Sequence, residues 1–336
     1  MTATEPTTTE ELARSLRDVP LVITGAHGFV GLGLLLTLVR AGARPFVLDL
    51  APLKPELARP LALPDVPTFA VDLTDLEALK RVAEQLPPRF VLVHMAALVG
   101  TSAALDDAGV RELSTSMSMT LNLLEACGKQ IAYLCFVSSI DVFGSPQTLP
   151  VTEDHPEHPD RIYGLGKLLA EQAFRAAGAT SGFGVSLLRV AHVFGPFEHV
   201  GSSTHPGRAT RLLPNVLRAC LTDKPVTLYG AGEDLRDYVH SYDVAQAVCR
   251  AILREAEGTF IVASGRSVTV RQLVETAAQA LGVTLKLELK PRSGATLNYR
   301  FAIDRARREL GFEPQVDLAA GLVEEAQWMR EVGMYV

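Results

Sequence analysis

Tyr163 and Lys167 stand four residues apart in Tyr163-Gly-Leu-Gly-Lys167. On a helix that spacing puts both side chains on one face. A tyrosine titrates near 10, so alone it is a poor base at neutral pH. An ammonium beside it favours the phenolate. A shift of about two or three units, at about 1.4 kcal/mol each, brings the hydroxyl into working range as acid and base. Upstream, Ser138-Ser139-Ile140-Asp141-Val142-Phe143-Gly144 follows an apolar run. Ser139 can donate to a substrate hydroxyl or ketone oxygen while Tyr163 moves the proton. The alternative for one serine of such a pair is a helix or turn cap.

A second group lies near the N-terminus, where Leu21–Thr24 leads into Gly25-Ala26-His27-Gly28-Phe29-Val30-Gly31. A diphosphate needs backbone N–H groups close by and a helix N-terminus aimed at it. Glycine at the turn permits that approach, and a later glycine lets the helix pack tightly on the strand. The spacing is GxxGxxG rather than GxGxxG, so its place between a strand and an apolar helix carries the reading. The alternative is a tight structural turn. Asp49 ends the second strand, 24 residues after Gly25. A carboxylate there accepts hydrogen bonds from both ribose hydroxyls and repels a 2′-phosphate, which predicts NAD rather than NADP. Asp72, in VDLTD, could reach the adenine; its alternative is an N-cap or loop carboxylate. The cofactor-facing set read from these residues is Gly25, Gly28, Phe29, Val30, Gly31, Asp49 and Asp72, with Tyr163 and Lys167 at the nicotinamide end. The cationic nicotinamide would add to the lowering of the Tyr163 pKa.

The elements that must position these groups alternate in type. Short apolar runs at 20–24, 45–50, 69–73, 90–94 and 133–138 read as strands, and 29–41, 75–86 and 110–127 read as helices. Continuous apolar strands with intervening helices predict a parallel sheet covered on both faces, a doubly wound, Rossmann-like α/β fold. After about residue 190 the regularity weakens. Helices at 211–221, 241–255, 269–280 and 317–331, with short strands near 226–228 and 259–262, predict a smaller, mostly helical lobe. The expected division is an NAD-binding domain over 18–190 and a substrate lobe over 191–330, the chain returning to the first around 236–262. Residues 1–10 are expected to fray.

Composition narrows the class. The 336 residues are 48% hydrophobic and 21% charged, ample for a core and too apolar for a disordered chain. A net charge of −6 with interspersed signs gives no basic face for nucleic acid. No apolar run is long enough to span a membrane, and the N-terminus lacks the pattern of a signal peptide. Cys127, Cys135, Cys220 and Cys249 lie in apolar surroundings and fit no metal motif. They read as buried free thiols of a cytoplasmic protein. His155 and His158 sit in an acidic, Pro-rich loop without a further ligand set, so no metal is expected.

Taken in order, GAHGFVG, Asp49, Asp72, HMAA at 94–97, SSIDVFG, YGLGK and RVAHVFGP at 189–196 resemble the extended short-chain dehydrogenase/reductase family, the NAD-dependent epimerase/dehydratase group. LYGAGEDLRDYVHSYDVAQAV at 228–248 and LGFEP at 310–314 extend the resemblance over about residues 20–330. It implies hydride transfer between a sugar carbon of a nucleotide-sugar and tightly held NAD. By position the resemblance implies Tyr163 as the acid/base, Lys167 as its partner, Ser139 as the hydroxyl donor and Ala96 as part of the cofactor wall, with Leu73, Ala97 and Ser138 also facing the cofactor. Arg236 matches the arginine that pairs with the nucleotide diphosphate. The resemblance also implies a homodimer through the helix bearing YxxxK and the one before it. There are departures: Ser116 stands for an asparagine, His192 for the asparagine of NxYGP, Phe143 for a tyrosine and Gly166 for a serine. His192 either contacts substrate or is a satisfied core residue. His199 and His205 lie in the Gly195–Arg211 loop, over the sugar site or in solvent.

The residues discriminate among reactions. Sugar-nucleotide 4,6-dehydratases place an Asp–Glu pair after the catalytic hydroxyl residue, where this chain has Ile140 and Asp141. Isoleucine does no proton chemistry, whereas Asp141 keeps a dehydratase or a uronic acid decarboxylase open. A 4-epimerase needs only Ser, Tyr, Lys and NAD, so nucleotide-sugar 4-epimerisation through a 4-keto intermediate is the expected activity. A net dehydrogenase or ketoreductase, and a non-catalytic NAD-sensing regulator, are the other classes.

Overall fold

The computed structural model describes residues 8–53, 55–99, 104–198, 212–292 and 296–333. In chain order these form α1 (Thr9–Ser15), β1 (Leu21–Thr24), α2 (Phe29–Arg40), β2 (Phe46–Asp49), α3 (Pro55–Leu61), β3 (Thr68–Ala70), α4 (Leu76–Ala83) and β4 (Phe90–His94). Next come α5 (Asp107–Cys127), β5 (Ile131–Ser139), a 3₁₀ turn (Ile140–Phe143), α6 (Ile162–Ser181) and β6 (Gly184–Val190). The remainder is β7 (His192–Phe194), α7 (Leu212–Leu221), β8 (Val226–Tyr229), β9 (Leu235–His240), α8 (Ser241–Leu253), β10 (Gly258–Val262), β11 (Ser267–Thr269), α9 (Val270–Leu281), β12 (Leu287–Lys290), a π turn (Ala306–Leu310) and α10 (Leu318–Glu331).

Seven strands make one sheet in the order β10-β6-β5-β4-β1-β2-β3, every neighbouring pair parallel. A strand covered on both faces gains from apolar side chains on both, and β1 is buried throughout. One face is covered by α1, α2 and α8, the other by α4, α5 and α6. This is the doubly wound α/β fold, with the C-terminal ends of β1, β4 and β5 opening at the crevice where strand order reverses. The remaining core joins α7, α9 and α10 to the inner residues of β8 and β9. Two small sheets, β11-β9-β7 and β12-β8, complete the C-terminal lobe, which therefore carries more strand than its sequence predicts.

The structure alters three local expectations. Residues 8–10 do not fray: Thr8 and Glu11 form a capping box, and Leu12, Ala13 and Leu16 bury against α2 and α8. Residues 1–7 lie outside the described residues. The third strand is Thr68–Ala70 rather than 69–73. The Asp72 carboxylate accepts from the Thr74 N–H at 2.8 Å and hydroxyl at 2.7 Å, which turns the chain toward the Asp75 cap of α4. Finally β6, for which the sequence shows no clean apolar run, enters the sheet with a fully buried Arg189. On the outer strand β10, the Ile261 N–H is accepted by Glu153 at 2.9 Å, which covers part of the edge.

All four cysteines are free and buried. Among the described residues no helix is long and apolar enough to cross a membrane.

Candidate active site

The glycine loop is shaped by close approach. Gly25 has φ +72°, and a Cβ there would lie 2.5 Å from the Ala96 nitrogen. A Cβ on Gly31 would lie 2.1 Å from the Gly25 carbonyl oxygen. Gly28 differs: it is the N-cap of α2, and a Cβ would meet only the Gly25 oxygen, at 3.3 Å. The first and third glycines are thus demanded by packing, whereas the second leaves open the space before a helix N-terminus. That cradle suits a dinucleotide diphosphate. At the end of β2, Asp49 accepts the His27 N–H at 2.9 Å and the Leu50 N–H at 2.8 Å. The His27 ring bonds the Ala51 carbonyl at 2.9 Å, tying the loop to the strand end. Phe29 is buried in the core and Val30 packs against it. Asp72 is exposed and holds its own turn; the Leu73 side chain is buried in the core and its carbonyl accepts from the Asn122 amide at 3.0 Å.

The glycine loop connects to β4 through Thr24. Its hydroxyl accepts from the Met95 and Ala96 N–H groups at 3.3 Å each and meets His94 Nδ1 at 2.7 Å. Its proton therefore goes to Nδ1, which leaves His94 protonated at Nε2. Burial, with the Lys167 charge adding to it, lowers the His94 pKa to about 3 and keeps the ring neutral.

A small pocket, partly open to solvent, brings His94, Ala96 and Ala97 together with Ser116, Phe136, Tyr163 and Lys167. Tyr163 lies in the first turn of α6 and Lys167 one turn further. The Lys167 ammonium donates to the Val137 carbonyl at 2.7 Å, sits 4.6 Å from the Phe136 ring centre and 5.8 Å from that of Tyr163. Burial lowers its pKa to about 8, and the Glu171 charge works against that.

The two serines at the end of β5 divide their work. Ser139 Oγ accepts the Asp141 N–H at 3.2 Å and caps the 3₁₀ turn, so its hydroxyl proton remains available to donate. Ser138, expected at the cofactor, turns its hydroxyl away and donates to Glu171 at 2.5 Å. A Cβ on Gly164 would lie 2.3 Å from the Asp141 carbonyl oxygen, so that glycine seats the start of α6 against the serine turn. Asp141 is half-buried, and burial raises its pKa against the pull of Arg161.

Two further candidates lie on the lobe side. His192 packs between Tyr238 and Tyr299, with ring centres 5.7 Å away in both cases. Arg236 lies over Tyr299 at 5.2 Å, with Nη1 donating to the Leu235 and Leu297 carbonyls. Beside it Arg292 makes a bidentate pair with Asp234, at 2.9 and 2.7 Å. Sequence reasoning missed Tyr238, Tyr299 and Arg292, since no local spacing links residues 60 positions apart. His155 is a structural residue, accepting from Gln147 N–H and donating to Pro156. Among the described residues no group of three His, Cys, Asp or Glu could hold a metal. His199 and His205 lie outside the described residues.

Comparisons with known proteins meet this geometry. A profile of the NAD dependent epimerase/dehydratase family matches residues 21–263. A UDP-glucose 4-epimerase of Azospirillum brasilense is 30% identical over 96% of this chain and 95% of its own length. The chain belongs to the NAD-dependent epimerase/dehydratase family. A dTDP-glucose 4,6-dehydratase of Streptomyces griseus is 28% identical over 92% of this chain and 93% of its own. The solved structure of a UDP-glucose 4-epimerase of Thermus thermophilus in complex with NAD superposes with a TM-score of 0.78, at 27% identity, over 93% of this chain and 99% of that one. The family's cofactor is NAD, and the open cradle at Gly28 beside Asp49 fits it.

Two departures from the family pattern are neighbours in the structure. Gly166 replaces a frequent serine and Ser116 a frequent asparagine, and both line the pocket. A Cβ on Gly166 would sit 3.3 Å from that of Ser116. A side chain at position 166 would therefore crowd α5 at Ser116.

Proposed function

We propose that the chain is an NAD-dependent nucleotide-sugar 4-epimerase. The observation that carries this reading is the pocket that joins the floor of the glycine loop, Ala96 and Ala97, to Tyr163 and Lys167. NAD, when bound, supplies a reversible hydride acceptor. Gly25, Gly28 and Gly31 with the start of α2 would hold its diphosphate, and Asp49 a ribose. Lys167, fixed by the Val137 carbonyl, stabilises the Tyr163 phenolate, which takes the proton from the sugar 4-hydroxyl. Ser139 donates to the same oxygen as it becomes a carbonyl. Tyr163 returns the proton after the 4-keto sugar has turned in the pocket and hydride has come back to the other face. Arg236 would pair with the substrate diphosphate, and His192 would face the sugar side of the lobe.

Ile140 favours epimerisation over dehydration. It is buried in the core, so the position that a dehydratase gives to an acid is turned away from the pocket here. Asp141 keeps the second reading, dehydration or decarboxylation, because it lies in the serine turn and burial raises its carboxyl pKa from the ordinary value. Proton NMR of the products from UDP-, dTDP-, GDP- and CDP-sugars, with NAD well below substrate, separates the classes. The expected result is a 4-epimer formed over many turnovers. A 4-keto-6-deoxy sugar or a shortened pentose would move the chemistry to Asp141, and conversion stopping at one NAD equivalent would mean a net dehydrogenase.

We also propose a homodimer formed through α5 and α6. Val110 and Leu121 on α5 and Leu169 on α6 are exposed apolar side chains on those two helices. Together they suit a helix-bundle interface. Leu121→Lys is expected to give a monomer by sedimentation equilibrium; a variant that sediments like the parent would rule this face out.

A further inference from the structure

Glu171 is fully buried and lies on α6 one turn beyond Lys167 and two beyond Tyr163, on the same face. Its carboxylate accepts from Ser138 Oγ on β5 at 2.5 Å, and from Arg189 on β6 through Nε at 3.0 Å and Nη2 at 2.6 Å. Arg189 also donates to Glu157 and lies 4.8 Å from the Phe143 ring centre. Arg175 approaches from the surface at 4.0 Å. A buried ion pair is costly to desolvate and adds little stability over an apolar replacement of the same shape. What this one adds is geometry.

Three consecutive residues of β5 meet three different groups. The Val137 carbonyl holds the Lys167 ammonium, Ser138 holds Glu171, and Ser139 caps the 3₁₀ turn and carries the hydroxyl that the catalytic reading assigns to substrate. We propose that Glu171 is a positioning residue for the reaction: its carboxylate pins the end of β5, which presents Ser139, to the helix face that presents Tyr163 and Lys167. β5 is held in the sheet by β4 and β6, so without that pin α6 can shift against it, and a misplacement of about 1 Å in a catalytic group costs on the order of 10²-fold in rate. The same charge acts on Lys167, because burial alone would strip its proton at still lower pH. The groups facing Glu171 are Ser138, Arg189, Arg175 and Lys167, with Glu157 beyond Arg189.

This inference rests on the catalytic reading above, and its test includes a readout that needs no substrate. Ser138→Ala removes one hydroxyl and leaves the Glu171–Arg189 pair intact, so it guards against loss of folding. It is expected to keep KM and NAD content while kcat falls roughly 10-fold, and Ser138→Thr restores most of that loss. Glu171→Gln is expected to lose about 10²-fold in kcat. In a nitrogen-15 NMR titration of the lysine side chains, Glu171→Gln moves the Lys167 midpoint to lower pH and Ser138→Ala leaves it in place. The proposal is overturned if Ser138→Ala turns over like the parent, or if Glu171→Gln loses NAD content and KM together with an unmoved Lys167 titration. A moved titration in a chain whose parent epimerises nothing would sink the epimerase reading and leave the Glu171–Lys167 coupling standing.

Discussion

Tyr163→Phe will lower kcat by about 10²- to 10⁴-fold, the usual worth of a positioned acid/base. The substitution removes one hydroxyl and keeps the ring. Lys167 keeps its bond to the Val137 carbonyl and its place over Phe136, so NAD content and thermal stability should stay near those of the parent. The loss must therefore appear in kcat, measured by product NMR on whichever nucleotide-sugar the parent turns over. A variant keeping more than about a tenth of parental turnover would remove Tyr163 from the mechanism. The pH profile gives a second check. Lys167 is cationic below its pKa of about 8 and supports the phenolate there. As pH rises through that value the ammonium loses its proton, the phenolate loses its partner, and kcat falls on the basic side. Tyrosine and lysine titrate as a coupled pair, so the limb belongs to the dyad rather than to either residue.

The second large effect separates two glycines that look alike in the sequence. Gly31→Ala places a Cβ 2.1 Å from the Gly25 carbonyl oxygen and 2.7 Å from the Ala26 Cα, both backbone atoms that cannot yield cheaply. It should force α2 off β1 and destabilise the fold by several kcal/mol, beyond the roughly 1–3 kcal/mol of ordinary overpacking. Gly28→Ala adds a methyl group that meets protein only at 3.3 Å. Replacing an N-cap glycine costs little more than the few tenths to about 1 kcal/mol by which cap residues differ. It should fold with a melting temperature within a few degrees of the parent. Its methyl group points into the diphosphate cradle, so it should purify without bound NAD. Calorimetry with a released-nucleotide assay reads both. A Gly28→Ala protein that retains NAD like the parent would mean that the cofactor does not approach this turn.

These contrasts mark where sequence reasoning reaches and where it stops. Runs such as FVLVH and YLCFVS are apolar throughout because their strands are covered on both faces, and that is visible without coordinates. Tyr163, Lys167 and the glycine triplet are legible because helix and turn geometry impose short fixed spacings. The strand β6 is not, because GVSLLRV carries an arginine whose charge is cancelled by Glu171, 18 residues earlier. Ser138 and Ser139 are indistinguishable as letters, and only the pleat of β5 decides which hydroxyl meets Glu171 and which caps the turn. The ring stack of His192 with Tyr238 and Tyr299 depends on segments far apart in the chain, beyond the reach of local pattern.

The place of β10 has a consequence for how the protein is made. β6 is finished at Val190, but its outer partner begins only at Gly258, about 70 residues later. At about 5–20 residues per second, a nascent chain holds β6 with an open edge for several seconds. Over the same interval α2 waits for α8, which covers it. During synthesis that edge is a template for pairing with other chains, and the interval ends only when β10 has left the ribosome.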